Sequence, residues 1–568
     1  MIHRKHGQLA LALGLVVAIA APATAAARPP RQTVELTLLG TTDVHGHIYP
    51  TTYFGGDKVE DVGLAKVYTL IKEARAKNPN TLLVDSGDML QGSPLAYHQA
   101  KVAEVPGPNP MIQAMNAMGY TVAGVGNHEF NFGLPHLYRS YSEAKFPLIS
   151  GNIYGLKPEY TYEKKVGTRD NPATTFKPYH IAEVAGIKVG IVSFAPPGIT
   201  IWDKANVQGK IDVGDILVAA KRWIPELKKQ GADIIVANPH SGLGGKFGPA
   251  YAGYSASSGL PPENVGLELA RLFPEIDVIF AGHSHQDVPG ELTPEGVACC
   301  QAGKWGEHLA IAHLTLSKEN GKWKVVSKKT ETRSTQGVVP APEILAVSQA
   351  AHEATLAYVR ASIAKTSVSW SAKDSQIQDT PLIDLINQVQ LEATGAQLSS
   401  AASFNTEAEL RKGSVSIADV ASVYPYENNL VAISITGKQL KAYLEHTARF
   451  YNAAKAGLPL INPEVRGYNY DMVVGVDYLI DRTKPVGQRI GKLEYQGKPV
   501  REDQAFTMAM NSYRQRGGGG YEMFKDAPVV YSKEESIREL LIEFLRKRGT
   551  IEPRDVFRKN WELLPATR

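Results

Sequence analysis

Short apolar runs alternate with amphipathic segments through the first half of the chain. Five of the runs have the length and the β-branched content of strands that are buried on both faces. They span Glu35 to Gly40, Thr81 to Val84, Thr121 to Val125, Ile234 to Ala237 and Val278 to Ala281. Amphipathic helices are predicted between them, for example over Leu64 to Lys77 and Val213 to Lys229. This alternation predicts an α/β domain with a layered sheet core over residues 34–335.

The pattern changes near Gly337 to Pro342, where Gly, Val, Pro and Ala interrupt it. A helical pattern follows from Glu343 to Ile363, and we interpret residues 340–365 as a linker helix. Residues 366–565 form a second, mixed α+β region. Its predicted elements are a helix over Pro381 to Thr394, strand-like runs at Leu430 to Thr436 and Asp477 to Ile480, and the glycine tract Gly517 to Gly520. A chain of 568 residues is also too long for a single core, so two or three domains are expected.

The N-terminus has the features of a cleaved export signal over residues 1–27. Arg4 and Lys5 precede an apolar stretch from Leu9 to Ala20, and small residues near Ala25 offer a cleavage site. No later apolar run is long enough to cross a membrane. We therefore expect a periplasmic or secreted protein without stable membrane insertion.

Charge and cysteine content narrow the possible functions. The 61 basic and 57 acidic side chains nearly balance, and no cluster of Lys and Arg marks a path for a nucleic-acid polymer. A small anionic substrate remains compatible with this balance. The only cysteines, Cys299 and Cys300, are adjacent and form a poor disulfide pair, so we interpret them as small buried residues of a strand.

Each of the five apolar runs is followed by a short polar motif that is rich in metal-binding side chains. The motifs are Asp43-Val44-His45, Asp85-Ser86-Gly87-Asp88, Gly126-Asn127-His128-Glu129, Pro239-His240 and Gly282-His283-Ser284-His285. A single such motif would more often be an ordinary turn or cap. Five of them at strand ends indicate a two-metal phosphoester hydrolase, in which one ion activates water and both clamp the phosphate. Mixed oxygen and nitrogen ligands favour two divalent ions such as Zn, Mn or Co.

The residue types predict a role for each position. Asp85 is expected to bridge the two ions because it directly follows the strand-like run that ends at Val84. The other expected ligands are Asp43, His45, Asn127, His240, His283 and His285. His128 is expected to steady the leaving oxygen, since an imidazole can donate a proton near neutral pH. Asp88 is expected to accept a hydrogen bond beside the ligands, and Glu129 to cap the helix that follows.

With these motifs the chain resembles the secreted 5′-nucleotidase and 2′,3′-cyclic-nucleotide phosphodiesterase family, from about Val34 to Phe557. The resemblance implies a four-layer αββα metallophosphoesterase domain and an α+β nucleotide-binding domain. It assigns Asp43, His45, Asp85 and His285 to one metal, and Asp85, Asn127, His240 and His283 to the other. It also makes His128 the transition-state residue and implies a small nucleotide as substrate. We expect a monomer.

The resemblance places substrate recognition in the second domain. Two aromatic rings stack on the base in this family, and the matching residues are Tyr426 and Tyr513. Such stacking contributes on the order of 1 to 3 kcal/mol and tolerates any base. Asn405 and Arg411 are weaker candidates for holding phosphate or ribose, and a solvated surface role is equally open for Arg411.

Three positions favour one branch of the family. Asn131 stands where relatives acting on 5′-nucleotides pair the catalytic His with Asp, Gly519 stands where they carry an Asp that holds ribose hydroxyls, and His285 replaces their Gln. These differences predict a 2′,3′-cyclic-nucleotide 2′-phosphodiesterase with 3′-nucleotidase activity. The alternatives are a 5′-nucleotidase or nucleotide-sugar hydrolase, a thiosulfohydrolase-like enzyme, and a non-catalytic nucleotide-binding protein.

Overall fold

The structure is a computed structural model that describes residue 1 and residues 32–565, except residues 55–58, 104–106, 169–171, 253–257, 427, 516 and 525–526. Apart from Met1, the predicted export signal over residues 1–27 lies outside the described residues. None of the described helices is both long enough and apolar enough to cross a membrane.

The first half of the described chain contains fourteen strands and eight α-helices. The strands are β1 Thr33–Thr41, β2 Thr81–Asp85, β3 Val122–Gly124, β4 Leu148–Ile149, β5 Ile153–Gly155, β6 Tyr179–Val184, β7 Ile187–Val192, β8 Ile211–Val213, β9 Ile234–Ala237, β10 Val278–Phe280, β11 Asp287–Leu292, β12 Ala298–Ala302, β13 His308–Glu319 and β14 Lys322–Ser334. The helices are α1 Leu64–Lys77, α2 Pro94–Tyr97, α3 Pro110–Met118, α4 Leu134–Tyr141, α5 Ile199–Trp202, α6 Lys204–Val207, α7 Ile216–Lys229 and α8 Gly266–Leu272.

Two six-stranded sheets form the centre of this half, in the orders β14-β13-β1-β2-β3-β4 and β11-β12-β10-β9-β7-β6. One buried cluster joins their facing surfaces, with Leu36 and Leu38 of the first sheet and Val189 and Ile191 of the second. Helices α1 and α3 pack on the outer face of the first sheet, and α7 and α8 on that of the second. The predicted four-layer αββα arrangement is therefore confirmed. Burial on both faces explains why the strands are apolar along their whole length.

The parallel pairing of the central strands brings the polar motifs to one edge. Strands β1, β2 and β3 are parallel neighbours in the first sheet, and β9 and β10 are parallel neighbours in the second. Each of the five predicted strands is present at its expected place, to within two residues at each end. Cys299 and Cys300 are free, buried residues of β12, as expected.

The second half contains thirteen strands and five α-helices after the linker. The linker helices are α9 Pro342–Val347 and α10 Gln349–Arg360. The strands are β15 Ser362–Thr366, β16 Trp370–Ser371, β17 Leu398–Ala402, β18 Glu409–Leu410, β19 Gly413–Ser416, β20 Asn429–Thr436, β21 Asp471–Val474, β22 Asp477–Asp481, β23 Ile490–Tyr495, β24 Lys498–Pro499, β25 Ala505–Asn511, β26 Val529–Ser536 and β27 Trp561–Leu564. The helices are α11 Pro381–Thr394, α12 Ile417–Val423, α13 Gly437–Thr447, α14 Ser512–Gln515 and α15 Ile537–Arg548.

The linker differs from the single helix that the sequence predicts. Ser348 separates α9 from α10, and its hydroxyl donates to the Ile344 carbonyl oxygen at 3.1 Å, a local bond that competes with helix continuation. The linker packs on the first domain, because the Tyr49 ring stacks on His352 with centroids 3.7 Å apart. The Tyr53 hydroxyl also lies 3.0 Å from His352 Nδ1.

The second domain is built on a five-stranded sheet in the order β21-β17-β25-β20-β26 and a four-stranded sheet in the order β24-β23-β22-β27. Its predicted helix over Pro381 to Thr394 has the expected bounds. In the first domain, the helix predicted from Val213 is α7, which starts later, at Ile216. Asp215 caps this helix and accepts from Leu217 N at 2.6 Å. The fold class predicted for both domains is thus confirmed.

Candidate metal centre

Five residues of the polar motifs have backbone conformations that side chains rarely adopt. Asp43, His45, Asp88, His283 and His285 all have φ between 50° and 68°. A non-glycine residue in this left-handed region is uncommon, and such residues cluster at functional sites. These turns follow the carboxyl ends of strands from both sheets, so the fold directs several side chains into one place.

Asp43, His45 and His285 form the first group, with their ligand atoms all within 4.8 Å of one another. His45 Nε2 lies 3.0 Å from His285 Nε2, which lies 3.3 Å from Asp43 Oδ1. Burial lowers the pKa of His45 to about 3, so this imidazole is neutral near pH 7. Its Nδ1 donates to the Gln91 carbonyl oxygen at 2.9 Å, which leaves a lone pair on Nε2 facing the group.

Asp43, Asp88 and His240 form the second group, so the two groups share Asp43. His240 Nε2 lies 3.0 Å from Asp88 Oδ2 and 3.9 Å from Asp43 Oδ1. His240 Nδ1 lies 3.0 Å from the Ser86 carbonyl oxygen and donates to it, so Nε2 faces the carboxylates. Burial acts to raise the pKa of Asp43, but His240 and His285 outweigh it and lower the pKa to about 2.

The structure places Asp88, and not Asp85, in this cluster. The Asp85 carboxylate accepts from Thr41 Oγ1 at 2.6 Å and from Gly87 N at 2.9 Å, away from the two groups. Burial raises the pKa of Asp85 to about 8, so it is largely uncharged at neutral pH. Asp88 Oδ2 lies between His240 and His45, at 3.0 and 3.8 Å from their Nε2 atoms. The expected bridging role of Asp85 is therefore contradicted by the geometry.

A buried glutamate explains how Asp88 reaches the cluster. The Glu129 carboxylate accepts from the backbone N–H groups of Gly126, Asp88, Met89 and Leu90 at 2.6 to 3.2 Å. It thus fixes the loop after β2. The expectation that Glu129 caps the following helix is wrong, because α4 has no side-chain cap. Gly87 turns this loop with φ 103°, where a Cβ would lie 2.4 Å from Gly126 N.

Asn127 and His283 lie at the same edge, and a second buried glutamate holds His283. The His283 N–H donates to both Asp43 carboxylate oxygens, at 3.1 and 3.0 Å. His283 Nε2 lies 3.1 Å from Glu263 Oε2, and the ring contacts His240 at a centroid distance of 5.2 Å. A carboxylate behind a ligating imidazole fixes the ring and leaves the other nitrogen, here Nδ1, for a ligand. Glu263 belongs to no motif, so the sequence does not reveal this contact.

The buried polar atoms of these side chains fit a metal. Asn127 Oδ1 has no hydrogen-bond partner among the described residues, and Asp88 Oδ2 and His240 Nε2 face each other at 3.0 Å without the alignment of a hydrogen bond. Each such atom would cost about 1 to 3 kcal/mol if it stayed unsatisfied. Carboxylate, amide and imidazole ligands together suit borderline divalent cations such as Zn, Mn and Co.

His128 stands at the open side of the cluster, with about a third of its side chain exposed (35%). Its backbone N–H donates to Asp88 Oδ1 at 2.8 Å, whereas its Nε2 is 4.0 Å from Asp88 Oδ2. Its Nδ1 lies 2.6 Å from Asn131 Oδ1, as expected for the paired residue. Burial acts to lower the pKa of His128, but Asp88, Asn131 and Asp203 raise it above its ordinary value.

The two expected stacking residues of the second domain are both half-exposed, Tyr426 at 44% and Tyr513 at 44%. The Phe404 ring packs edge-on against Tyr426 at a centroid distance of 5.1 Å. Burial raises the pKa of Tyr426, and Tyr468 and Tyr513 contribute to the rise, which places the three phenols near one another. Half-exposed rings of this kind are available to stack on a ligand.

Asn405 and Arg411 have local partners instead. The Asn405 side chain donates to the Ser422 carbonyl oxygen at 3.2 Å and accepts from Glu407 N at 3.0 Å, so it shapes a turn. The Arg411 side chain is 83% exposed and lies 3.5 Å from Glu409. The solvated role left open for Arg411 agrees with this exposure.

The glycine tract is tightly held from below by Arg514. This buried guanidinium forms two hydrogen bonds to Asp471, at 2.7 and 2.8 Å, and also donates to the Gly518 carbonyl oxygen. A Cβ at Gly519 would lie 2.5 Å from Arg514 and from Asn469 Oδ1, and the residue has φ 76°. Position 519 therefore cannot carry a side chain in this loop conformation.

Two family models and several known proteins match this chain. The family model described as calcineurin-like phosphoesterase matches residues 36–287, and that of the 5′-nucleotidase C-terminal domain matches residues 362–526. The chain is 32% identical to the 2′,3′-cyclic-nucleotide 2′-phosphodiesterase/3′-nucleotidase of Haemophilus influenzae, over 100% of this chain and 93% of the relative. It is 31% identical to the protein of the same description from Salmonella typhimurium, over 94% and 89% of the two chains.

Solved structures share the fold. A 5′-nucleotidase precursor from Thermus thermophilus superposes with a TM-score of 0.55 at 22% identity, over 94% of this chain and 100% of that one. At this identity the likeness concerns the arrangement of the two domains' elements and not their substrate.

Proposed function

Because this chain belongs to the calcineurin-like phosphoesterases that carry a 5′-nucleotidase C-terminal domain, we propose that it hydrolyses 2′,3′-cyclic nucleotides to 3′-nucleotides and then to nucleosides and phosphate. Family membership confirms the resemblance found in the sequence. It makes the protein a metal-dependent phosphoesterase that acts on nucleotides. The observation that carries the proposal is the convergence of buried ligand atoms beside the His128 imidazole, about a third of which is exposed (35%).

Two divalent ions would be held by the two groups described above, which have Asp43 in common. Asp43, His45 and His285 would hold the first ion with help from Asp88, and Asp88, Asn127, His240 and His283 would hold the second. Asp88, and not the expected Asp85, would serve both ions, because its Oδ2 lies 3.8 Å from His45 Nε2 and 3.0 Å from His240 Nε2. Ions bound there would supply an activated water and neutralise charge on the phosphoryl oxygens.

The protein's own residues would do the remaining chemistry. His128 would give its Nε2 proton to the leaving oxygen as the P–O bond breaks, since its Nδ1 is occupied by Asn131 and its Nε2 lies on the side of the metal centre, 4.0 Å from Asp88 Oδ2. Tyr426 and Tyr513 would stack on the base, which positions the phosphate without selecting a base.

The cyclic and 3′ substrates are favoured by the relatives' descriptions and by Asn131. Both curated relatives cited above are 2′,3′-cyclic-nucleotide 2′-phosphodiesterase/3′-nucleotidases. Asn131, and not Asp, pairs with His128. A thiosulfohydrolase-like activity is disfavoured by the two exposed tyrosines, and a non-catalytic role by the completeness of the ligand set.

A substrate panel tests the proposal. The mature protein, stripped by a chelator and reloaded separately with Zn, Mn or Co, would be assayed on 2′,3′-cyclic AMP, 3′-AMP, 5′-AMP and UDP-glucose. We expect kcat/KM values for the first two to exceed those for the last two, and no turnover in the stripped protein. A preference for 5′-AMP or UDP-glucose would contradict the substrate assignment and leave the metal centre intact.

His128→Ala provides a sharper test of the chemistry. It should lower kcat by roughly a hundredfold or more at unchanged metal content, the usual scale for a lost general acid. His313→Ala, which changes an exposed histidine of β13, is the matched control and should have no effect. Loss of a metal in His128→Ala would make His128 a ligand and refute its proposed role.

Export and a monomeric state also belong to this proposal. Processing of the N-terminal segment can be checked by the mass of the protein recovered from the culture medium or periplasm. Size-exclusion chromatography with light scattering measures the oligomeric state, and a stable dimer would contradict the expected monomer.

A further inference from the structure

A short segment that contains none of the metal motifs contacts the metal centre on two sides. It runs from α5 to α6, residues 199–207, and Asp203 lies at the junction of the two helices. Asp203 is 1% exposed, although it is a carboxylate. Burying an acid is costly unless it has a partner, so its presence calls for a reason.

Its partner is the side chain that holds the proposed proton donor. Asn131 Nδ2 donates to Asp203 Oδ1 at 2.9 Å, and Asn131 Oδ1 lies 2.6 Å from His128 Nδ1. An ionised carboxylate can only accept, so the amide must turn its NH₂ group toward Asp203 and its oxygen toward His128. The Asn131 oxygen then accepts a hydrogen bond from Nδ1–H, which fixes the orientation of the imidazole and leaves Nε2 on the side of the metal centre, 4.0 Å from Asp88 Oδ2.

Two other residues of the segment contact the turn after His128 and a histidine of the metal centre. Asn206 Nδ2 donates to the carbonyl oxygens of Phe130 and Asn131, at 3.0 and 3.3 Å. The Trp202 ring packs against His283 at a centroid distance of 5.6 Å. One segment thus holds the turn that carries His128 and a ring of the metal centre.

We propose that Asp203 is a positioning residue for His128, which acts through Asn131 to keep the imidazole in the form that can protonate the leaving oxygen. This inference rests on the proposed function. Without Asp203 the Asn131 amide could rotate and place its NH₂ group against Nδ1, and that arrangement opposes a proton on Nδ1. In the step itself, the P–O electron pair passes to the leaving oxygen, which takes the Nε2 proton and leaves neutral His128 protonated on Nδ1.

The test compares leaving groups. Asp203→Ala and Asp203→Asn would be assayed on 3′-AMP, whose leaving oxygen is strongly basic, and on p-nitrophenyl phosphate, whose leaving group needs no proton. We expect Asp203→Ala to lower kcat on 3′-AMP by about 10- to 100-fold, with KM and metal content nearly unchanged, and to affect p-nitrophenyl phosphate much less. Asp203→Asn should fall between the wild type and Asp203→Ala. Asp212→Asn, an exposed acid of β8, is the matched control.

A charge swap separates positioning from structural support. The double variant Asn131→Asp/Asp203→Asn keeps one acid and one amide but exchanges their places, so a carboxylate accepts directly from Nδ1. We expect it to recover most of the activity that Asp203→Asn loses on 3′-AMP. Equal losses on both substrates, a swap variant no better than the single variant, or an unchanged kcat would overturn the inference. A wild type without activity on any nucleotide would sink the proposed function and this inference with it, whereas an active wild type with unaffected Asp203 variants would sink the inference alone.

Discussion

Replacing Asp88 and Asp85 separately by Asn distinguishes a metal-bridging carboxylate from a buried structural one. Both residues belong to the same motif and both are buried, but only Asp88 faces the histidines. Asp→Asn keeps the volume of the side chain and leaves it neutral. Near pH 7 the change therefore removes a negative charge at Asp88 but little charge at Asp85, whose pKa is raised to about 8 by burial.

The magnitude follows from the distances. Asp88 Oδ2 lies 3.0, 3.8 and 4.0 Å from the Nε2 atoms of His240, His45 and His128, so its charge acts at about 4 Å on anything held there. Two unit charges at 4 Å interact by about 4 kcal/mol at an effective dielectric constant of 20, and a carboxylate with a divalent ion by about twice that. Since about 1.4 kcal/mol corresponds to a factor of ten, Asp88→Asn should weaken metal binding by roughly a thousandfold or more.

Asp85→Asn should behave differently. Because burial raises the pKa of Asp85 to about 8, the neutral amide resembles the carboxylic acid already present at pH 7. The amide has one oxygen to serve Thr41 Oγ1 and Gly87 N, so about one hydrogen bond is lost, at a cost of about 1 kcal/mol of stability. Metal content and kcat/KM should stay near the wild-type values.

The assay measures metal content by mass spectrometry, metal affinity by calorimetry and kcat/KM on 2′,3′-cyclic AMP, with circular dichroism to check the fold. Loss of metal and activity in Asp85→Asn, with both retained in Asp88→Asn, would refute the proposed role of Asp88. Equal loss in both variants would mean that the loop fixed by Glu129 collapses when either side chain changes, and not that Asp88 alone binds metal.

Three further outcomes follow from the structure. Glu263→Gln should weaken metal binding by about 10- to 100-fold through His283, measured by calorimetry, whereas Glu268→Gln on the exposed face of α8 should not. Tyr426→Ala and Tyr513→Ala should each raise KM by about 5- to 150-fold for adenine, guanine and uracil substrates alike, with Tyr162→Ala as the exposed control; an effect confined to one base would contradict stacking. Asp384→Asn should raise the melting temperature at pH 8 but not at pH 4. Burial and Asp379 raise the pKa of Asp384 to about 7, so the free energy of unfolding falls by up to about 4 kcal/mol as the pH rises from 4 to 7 and the folded protein must ionise this acid. A difference in melting temperature between variant and wild type that stays constant across this pH range would contradict the raised pKa.

The sequence predicts the strands and the ligand-bearing edge well because both depend on local pattern. Parallel strands buried on two faces must be apolar throughout, and their carboxyl ends must meet. The choice between Asp85 and Asp88 lies beyond that pattern. It depends on the turn at Gly87 and on Glu129, whose carboxylate accepts from three backbone N–H groups of that loop, although Glu129 lies about forty residues away in the sequence.

Long-range partners escape the sequence for a related reason. Asp203 reaches Asn131 across 72 residues, and Glu263 reaches His283 from a loop without any motif. An Asp or Glu at such a position is indistinguishable in the sequence from a solvated one. Gly519, which stands where relatives acting on 5′-nucleotides carry Asp, shows a second limit of prediction from sequence. The sequence reveals the difference, but only the folded loop reveals that Arg514 and Asn469 fill the space beside this glycine.

The distribution of charge around the centre connects the site to its proposed substrates. Asp43 and Asp88 are the carboxylates that face the proposed ions directly, whereas Glu129 and Glu263 are engaged by backbone N–H groups and by His283. Asp85 is largely uncharged at neutral pH. The partner of His128 is the neutral amide of Asn131, and the acid Asp203 contacts this amide and not the imidazole itself. The charge of two divalent cations would exceed that of these two carboxylates, so a net positive charge would face the substrate. That excess suits first a singly charged cyclic diester and then its doubly charged monoester product, so one clamp could serve both hydrolytic steps while Tyr426 and Tyr513 retain the base.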